Sequence, residues 1–104
     1  MESRGYFQTI WEYRVRDEYL ARFEQVYATD GAWVRLFSTV PGYLRTELIR
    51  DCEHRNRFIT IDYWRSRDDF LRMREEAGPE YRALDIETEV FLQSERHLGY
   101  FELC

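Results

Sequence analysis

At 104 residues the chain is expected to fold as one domain over residues 1–104, with a core small enough that a partner subunit would help to complete it. Its net charge of -5 is spread over interspersed acids and bases, so no basic stripe exists to neutralise phosphates, and nucleic acid is excluded as a partner. All 15 basic residues are Arg, which removes Schiff-base chemistry and a pyridoxal phosphate anchor.

The opening residues 1–5 are polar and lead into an amphipathic stretch, so no signal peptide is read there. Residues 6–15 set Phe7, Thr9, Trp11, Tyr13 and Val15 against Tyr6, Gln8, Ile10, Glu12 and Arg14, the period-two pattern of a strand. Asp17 is a predicted N-cap, after which Leu20, Phe23, Val26 and Tyr27 recur at helical spacing until Thr29-Asp30-Gly31 interrupts them. Helical spacing resumes over 32–39 with Trp33, Leu36 and Phe37 on one side, and Pro41-Gly42 ends it in a turn. Residues 43–50 and 57–64 read as strands joined by a polar hairpin loop over 51–56, hence antiparallel.

In the second of these strands Ile59, Ile61 and Tyr63 lie opposite Phe58, Thr60, Asp62 and Trp64. The latter face mixes polar groups with large aromatics, which suits the wall of a polar-lined pocket better than a dry core. Ser66 is a predicted cap with Asp69 three residues on, and Phe70 and Met73 form the buried stripe of that helix. Gly78-Pro79 ends it and starts another, with Tyr81, Leu84 and Phe91 inward; residues 93–103 then look extended, Leu98, Tyr100 and Glu102 lying opposite His97, Phe101 and Leu103.

Strand, helix, strand, strand, helix, strand is the α+β, ferredoxin-like βαββαβ order, a four-stranded antiparallel sheet with helices over one face. The other face is expected to carry aromatics too numerous for water, so a second sheet should cover it, closing a homodimer into a dimeric α+β barrel. No stretch approaches the ~20 apolar residues of a membrane span. Cys52 and Cys104 lack a CxxC partner or a spaced His set, so neither a metal nor thioredoxin-type chemistry is expected. A cytoplasmic protein with reduced thiols and no membrane contact is the expectation.

The runs Ile10-Trp-Glu-Tyr-Arg-Val15, Pro41-Gly-Tyr-Leu44 and Ile59-Thr-Ile-Asp-Tyr-Trp64, then Ser66, Phe70 and the closing His97-Leu-Gly-Tyr-Phe101, resemble the antibiotic biosynthesis monooxygenase family of dimeric α+β barrels. The resemblance covers nearly the whole chain. It implies cofactor-free oxygenation as one activity, with no cofactor, and a Trp64 that points into a cleft between sheet and helices. Haem-degrading relatives use an Asn on the first strand and a ligating His in the second helical region. This chain has only Asn56, in a loop, and no His between Asn56 and Arg96, which argues against haem degradation.

Cofactor-free oxygenation needs a pocket, a base for an electron-rich phenol, and a positive group for the resulting anion. Asp62 and His97 are the candidate catalytic residues. Trp64, Phe58 and Thr60 are candidate pocket residues, with Glu12 as a second carboxylate on a neighbouring strand and Arg14 to hold the anion. Each has a plain structural reading beside it: Trp64 as core, the carboxylates in ion pairs with Arg14, Arg45 or Arg65, and His97 at a strand end. The functional expectation is a cofactor-independent monooxygenase of a small phenolic or quinone-like aromatic metabolite. The alternatives are a dimeric small-molecule-binding or accessory protein without turnover, and a structural dimer whose aromatics are all core and interface.

Overall fold

The computed structural model describes residues 6–104; the polar opening, and with it the reading of a missing signal peptide, lies outside the described residues. The elements are β1 (Phe7–Val15), α1 (Leu20–Tyr27), α2 (Ala32–Phe37), β2 (Tyr43–Arg50), β3 (Arg57–Trp64), α3 (Arg67–Glu76), α4 (Gly78–Glu89) and β4 (Leu92–Glu102). The strands form one sheet in the order β2-β3-β1-β4, every neighbouring pair antiparallel. This is the ferredoxin-like α+β arrangement that the order of strand and helix patterns predicts.

Alternation in β1 and β3 decides which side chains meet the helices. Phe7, Thr9, Tyr13 and Val15 are buried, as are Phe58, Thr60, Asp62 and Trp64, while the residues between them are only half covered. The apolar centre holds Val15, Phe23, Phe58, Trp64 and Met73, all at 1 % exposure or less. Phe23 stacks on Tyr27 within α1 with ring centroids 4.1 Å apart, and it meets Phe58 of β3 at 4.8 Å and Tyr13 of β1 at 5.5 Å, which fixes α1 against the sheet.

Asp17 does not cap α1. It lies in a short 3₁₀ turn before the helix, and α1 starts without a side-chain cap. The Asp17 carboxylate instead accepts from Asn56 Nδ2 at 2.7 Å, and the same amide donates to the Val15 carbonyl at 2.6 Å, tying the β2–β3 hairpin loop to the end of β1. Ser66 does cap α3, accepting from the Asp69 backbone N–H at 3.1 Å. The Asp69 carboxylate, held by Arg65 and Arg72, packs against Gly42. There φ is +93° and an added Cβ would fall 2.3 Å from Asp69 Cγ, so the turn before β2 requires glycine.

Both edge strands slip, β2 once and β4 twice, the second slip of β4 falling between Arg14 and Val15 of its partner. In β2 the pairing with β3 shifts between Tyr43 and Arg45; in β4 the partners of Ile10 and Trp11 are Gly99 and His97, leaving Leu98 as the extra residue. A bulge reverses the alternation beyond it. His97 and Tyr100, expected on opposite faces, therefore share one, with ring centroids 4.5 Å apart.

The helix-free face carries Ile10, Ile59 and Ile61, with Tyr63 and Phe101 as its aromatics, among ion-paired residues such as Glu12 and Arg57. It is thus more aliphatic than expected, because most of the aromatic rings turn toward the helices. No helix among the described residues is long and apolar enough to cross a membrane. Cys52 and Cys104 are free and exposed. Converting both to Ser is expected to change the unfolding free energy by no more than about 0.5 kcal/mol, the usual range at such surface positions, as a denaturant melt would show.

Candidate active site

Strand register assembles the site as two rows across the helix-covered face. Thr46 of β2 pairs with Asp62 of β3, Asp62 with Thr9 of β1, and Thr9 with Tyr100 of β4. The adjacent row runs Leu48, Thr60, Trp11, His97.

Asp62, 8 % exposed, is the buried carboxylate at the centre of the first row. Thr46 Oγ1 donates to its Oδ1 at 2.6 Å and Thr9 Oγ1 to its Oδ2 at 3.3 Å. A threonine hydroxyl has a single proton, and Thr46 gives it to Asp62. The Tyr43 hydroxyl, 2.6 Å from Thr46 Oγ1, is therefore the donor in that bond. Asp62 makes no ion pair among the described residues. Burial pushes its carboxyl up to about 6, and the Thr46 and Thr9 hydroxyls pull against that rise.

Above Asp62 and Thr60 opens a cleft of about 180 Å³ between the sheet and the helices. Trp11, Tyr13, Tyr27, Trp33, Phe37 and Tyr81 form aromatic walls, Arg74 supplies a cation, and Asp85 and Glu95 add carboxylates. The Arg74 guanidinium lies over the Tyr81 ring, 4.6 Å from its centroid. Burial holds the Tyr27 and Tyr81 phenols up at about 12 and raises Tyr13 well above the ordinary phenol value, so all three stay protonated at neutral pH. Glu95 is also raised, by burial first and then by Asp85 and Glu89 nearby.

A recess of about 20 Å³ shares Asp62, Trp11, Arg74 and Tyr81 with this cleft, and His97 and Tyr100 line it as well. The His97 ring lies 4.7 Å from that of Trp11, and its Nε2 is buried without a hydrogen-bond partner among the described residues. Burial lowers its pKa, which favours the neutral imidazole. No group of three or more His, Cys, Asp or Glu among the described residues is arranged to hold a metal ion.

The structure thus brings Asp62, Thr60 and His97 together and sends the other candidates elsewhere. Trp64, expected at the cleft, is fully buried between Phe37, Tyr43 and Phe70, with ring centroids 5.2 to 5.7 Å away, and lines neither cavity. This corrects its pocket assignment: Trp64 lies one row beyond Asp62, under the start of α3. Phe58 is likewise core, packed on Phe23 at 4.8 Å. Glu12 and Arg14 belong to the helix-free face, because Glu12 pairs in register with Ile59 rather than with Thr60 or Asp62. Glu12 makes ion pairs with Arg57 at 2.5 Å and Arg96 at 3.5 Å, and the Arg57 hydrogen bond above all holds its carboxyl below the usual range. The ion-pair reading therefore describes Glu12 and not Asp62; Arg45 and Arg65 are engaged with Glu47 and Asp69.

Arg74, Thr46, Thr9, Trp33 and Tyr81 were not among the sequence candidates. Thr46 had a signal in the sequence, as a polar residue two positions from Leu48 on one face of a strand. Arg74 had none, since one Arg on a charged helix looks like the next.

The fold recurs in solved structures. SnoaB, a cofactor-independent oxygenase from Streptomyces nogalater, is similar at 24% identity with a TM-score of 0.72, covering 94% of this chain and 92% of its own. PA3566 from Pseudomonas aeruginosa is similar at 14% identity and a TM-score of 0.69, covering 100% and 99%. A conserved protein from Methanosarcina mazei is similar at 8% identity and a TM-score of 0.71, covering 94% and 92%. At such identities the likeness shows the fold alone. No curated protein matches the chain. The sequence model of one family, however, matches residues 7–84, and on that match the chain belongs to the antibiotic biosynthesis monooxygenase family.

Proposed function

We propose that the chain is a cofactor-independent monooxygenase of a small phenolic or quinone-like aromatic, acting as a homodimer. One observation carries this reading: Asp62, a buried carboxylate without an ion-pair partner among the described residues, forms the floor of an aromatic cleft. With a midpoint at about 6 it is mostly ionised at neutral pH and takes the phenolic proton. Trp11, Trp33 and Tyr81 stack on the ring, and Arg74 faces the anion that forms. The deprotonated ring then reduces dioxygen. A ring methylene of the keto tautomer becomes a carbonyl, and the second oxygen atom leaves as water with the two hydrogens, so the substrate supplies every electron. His97, with a free Nε2 in the adjoining recess, is the second polar contact for substrate or reduced oxygen. Family membership and the fold shared with SnoaB support the same reading.

The test is a panel of hydroquinones and naphthols under labelled dioxygen, followed by absorbance and product mass. One labelled atom in the product is the expected result. Saturable binding with no product from any member would instead favour the binding or accessory reading.

The helix-free face supports the homodimer. Its isoleucines and Tyr63 lie beside ion pairs, and the exposed Ile49, 50 %, extends the apolar strip to the β2 edge. A second copy of the sheet is the occupant that buries such a face. Light scattering at micromolar concentration should give twice the 12.9 kDa chain mass; a value of one chain mass would count against it.

A further inference from the structure

Asp62 touches the cleft on one side and a hydroxyl chain on the other. The Tyr43 hydroxyl is 2.6 Å from Thr46 Oγ1, which is 2.6 Å from Asp62 Oδ1. Tyr43 and Thr46 are three residues apart, a spacing that ordinary strand alternation would place on opposite faces. The register slip between Tyr43 and Arg45 puts them on the same one. Tyr43 is absent from the walls of the cleft and of its recess. It lines a different pocket, about 300 Å³, that opens outward between α2 and β2 beside Val34, Ser38 and Arg45. Thr46 is the residue common to this outer pocket and the cleft.

We propose that Tyr43 and Thr46 form a hydroxyl relay joining Asp62 to the outer pocket, so that Asp62 exchanges its proton with solvent from that side while a ligand fills the cleft. Asp62 is only 8 % exposed even with the cleft open, and a bound ring would cover what remains. The relay balances as a proton shift without redox change. The carboxylic proton moves from Asp62 Oδ1 to Thr46 Oγ1, Thr46 passes its own to Tyr43 Oη, and Tyr43 releases its own to water in the outer pocket. Both hydroxyls turn outward before this shift, and the shift itself leaves each O–H pointing back toward the carboxylate. Tyr43 and Thr46 are positioning residues in this scheme, and its purpose rests on Asp62 being the base of the proposed oxygenase.

Other groups face Asp62 and set the background of any titration. Arg74 comes from α3, Asp85 from α4, and Glu95 and His97 from β4. The phenols of Tyr13, Tyr27 and Tyr81 from β1, α1 and α4 and of Tyr100 from β4 complete the set, and burial raises the first three, which keeps them neutral below pH 9. None of these groups is altered by changes at Tyr43 or Thr46.

The experiment follows the Asp62 carboxyl carbon by NMR in the whole chain, empty and with saturating 1-naphthol as the cleft probe. Variants are Tyr43→Phe, Thr46→Val and Thr46→Ser. In Tyr43→Phe and Thr46→Val the Asp62 midpoint should move up, by half a pH unit or more in Thr46→Val, and with naphthol bound its proton exchange should slow at least tenfold. Thr46→Ser should restore both. Thermal melts confirm that each variant is folded, and Tyr43→Phe keeps the ring packing on Trp64. Unchanged midpoints in both hydroxyl-deletion variants, or exchange as fast as wild type with naphthol bound, would overturn the relay. Should naphthol fail to bind, the midpoints of the empty protein decide. A relay that behaves as expected in a chain that oxygenates no aromatic would overturn the function and leave the relay in place.

Discussion

Asp62→Asn is expected to lower turnover by about 10²- to 10⁴-fold while leaving the fold intact, because it removes the one group assigned to proton abstraction and keeps its shape. The amide oxygen can still accept from Thr46, and the NH₂ can donate to the Thr9 hydroxyl, so both side-chain contacts of position 62 can persist. The stability side has an opposite sign. Burial raises the folded midpoint to about 6 from the ordinary 3.8, so between those values the folded state holds a proton that the unfolded chain has lost. Stability from this group is fully present below the unfolded midpoint, and it falls as pH rises through the folded one, by about 3 kcal/mol in all. The Asn variant should lack this decline and be at least as stable as wild type at pH 7. Melts from pH 3.5 to 7.5 beside steady-state rates would check both halves. A variant that retains a third or more of wild-type kcat would remove Asp62 from the role of base, and an unchanged pH slope would show that another group titrates there.

Such a pairing of activity against stability is what a functional carboxylate looks like from inside a core, and part of it is legible in the sequence. Alternation over residues 57–64 put Asp62 and Thr60 on a face with large apolar rings, a conflict with ordinary burial that points to a site. What alternation could not give was register. β1 and β3 are neighbours, as the fold class requires, but whether Glu12 or Thr9 shares a face with Asp62 depends on a one-residue choice of pairing, and a single step exchanges the faces. Strand adjacency suggests Glu12 for the site and positive charge suggests Arg14, and the register turns both to the other face. Bulges hide for the same reason. Leu98 in β4 and the slip after Tyr43 in β2 break the period-two count, and these two places bring His97 beside Tyr100 and Tyr43 beside Thr46. Asp17 looked like a helix cap because it stands one turn before an apolar periodic run, yet a tertiary partner, Asn56, outcompeted the local role. The helices and strands themselves were legible, since their signals are local and repeated.

Trp64→Ala is expected to destabilise the chain by about 3 to 5 kcal/mol, the cost of a large aromatic truncated in a packed interior. Its indole is fully buried, and the rings of Phe37, Tyr43 and Phe70 meet it edge-on, so collapse around the missing volume would have to move α2, the start of β2 and α3 together. For a chain of 104 residues whose total stability is expected at roughly 5 to 15 kcal/mol, that is a large share, and the melting temperature should fall by on the order of 20 °C. Trp64→Phe should be milder, since the indole N–H that it removes has no hydrogen-bond partner to lose. Ligand binding separates this core role from a pocket role. Trp11 and Trp33 line the cleft and Trp64 does not, so quenching of tryptophan fluorescence by a bound naphthol should survive in Trp64→Phe and drop sharply in Trp33→Phe. If Trp64→Phe instead abolished the quenching at unchanged melting temperature, Trp64 would have to return to the ligand wall, and the cleft would have to extend one row further along β3 than its lining residues now show.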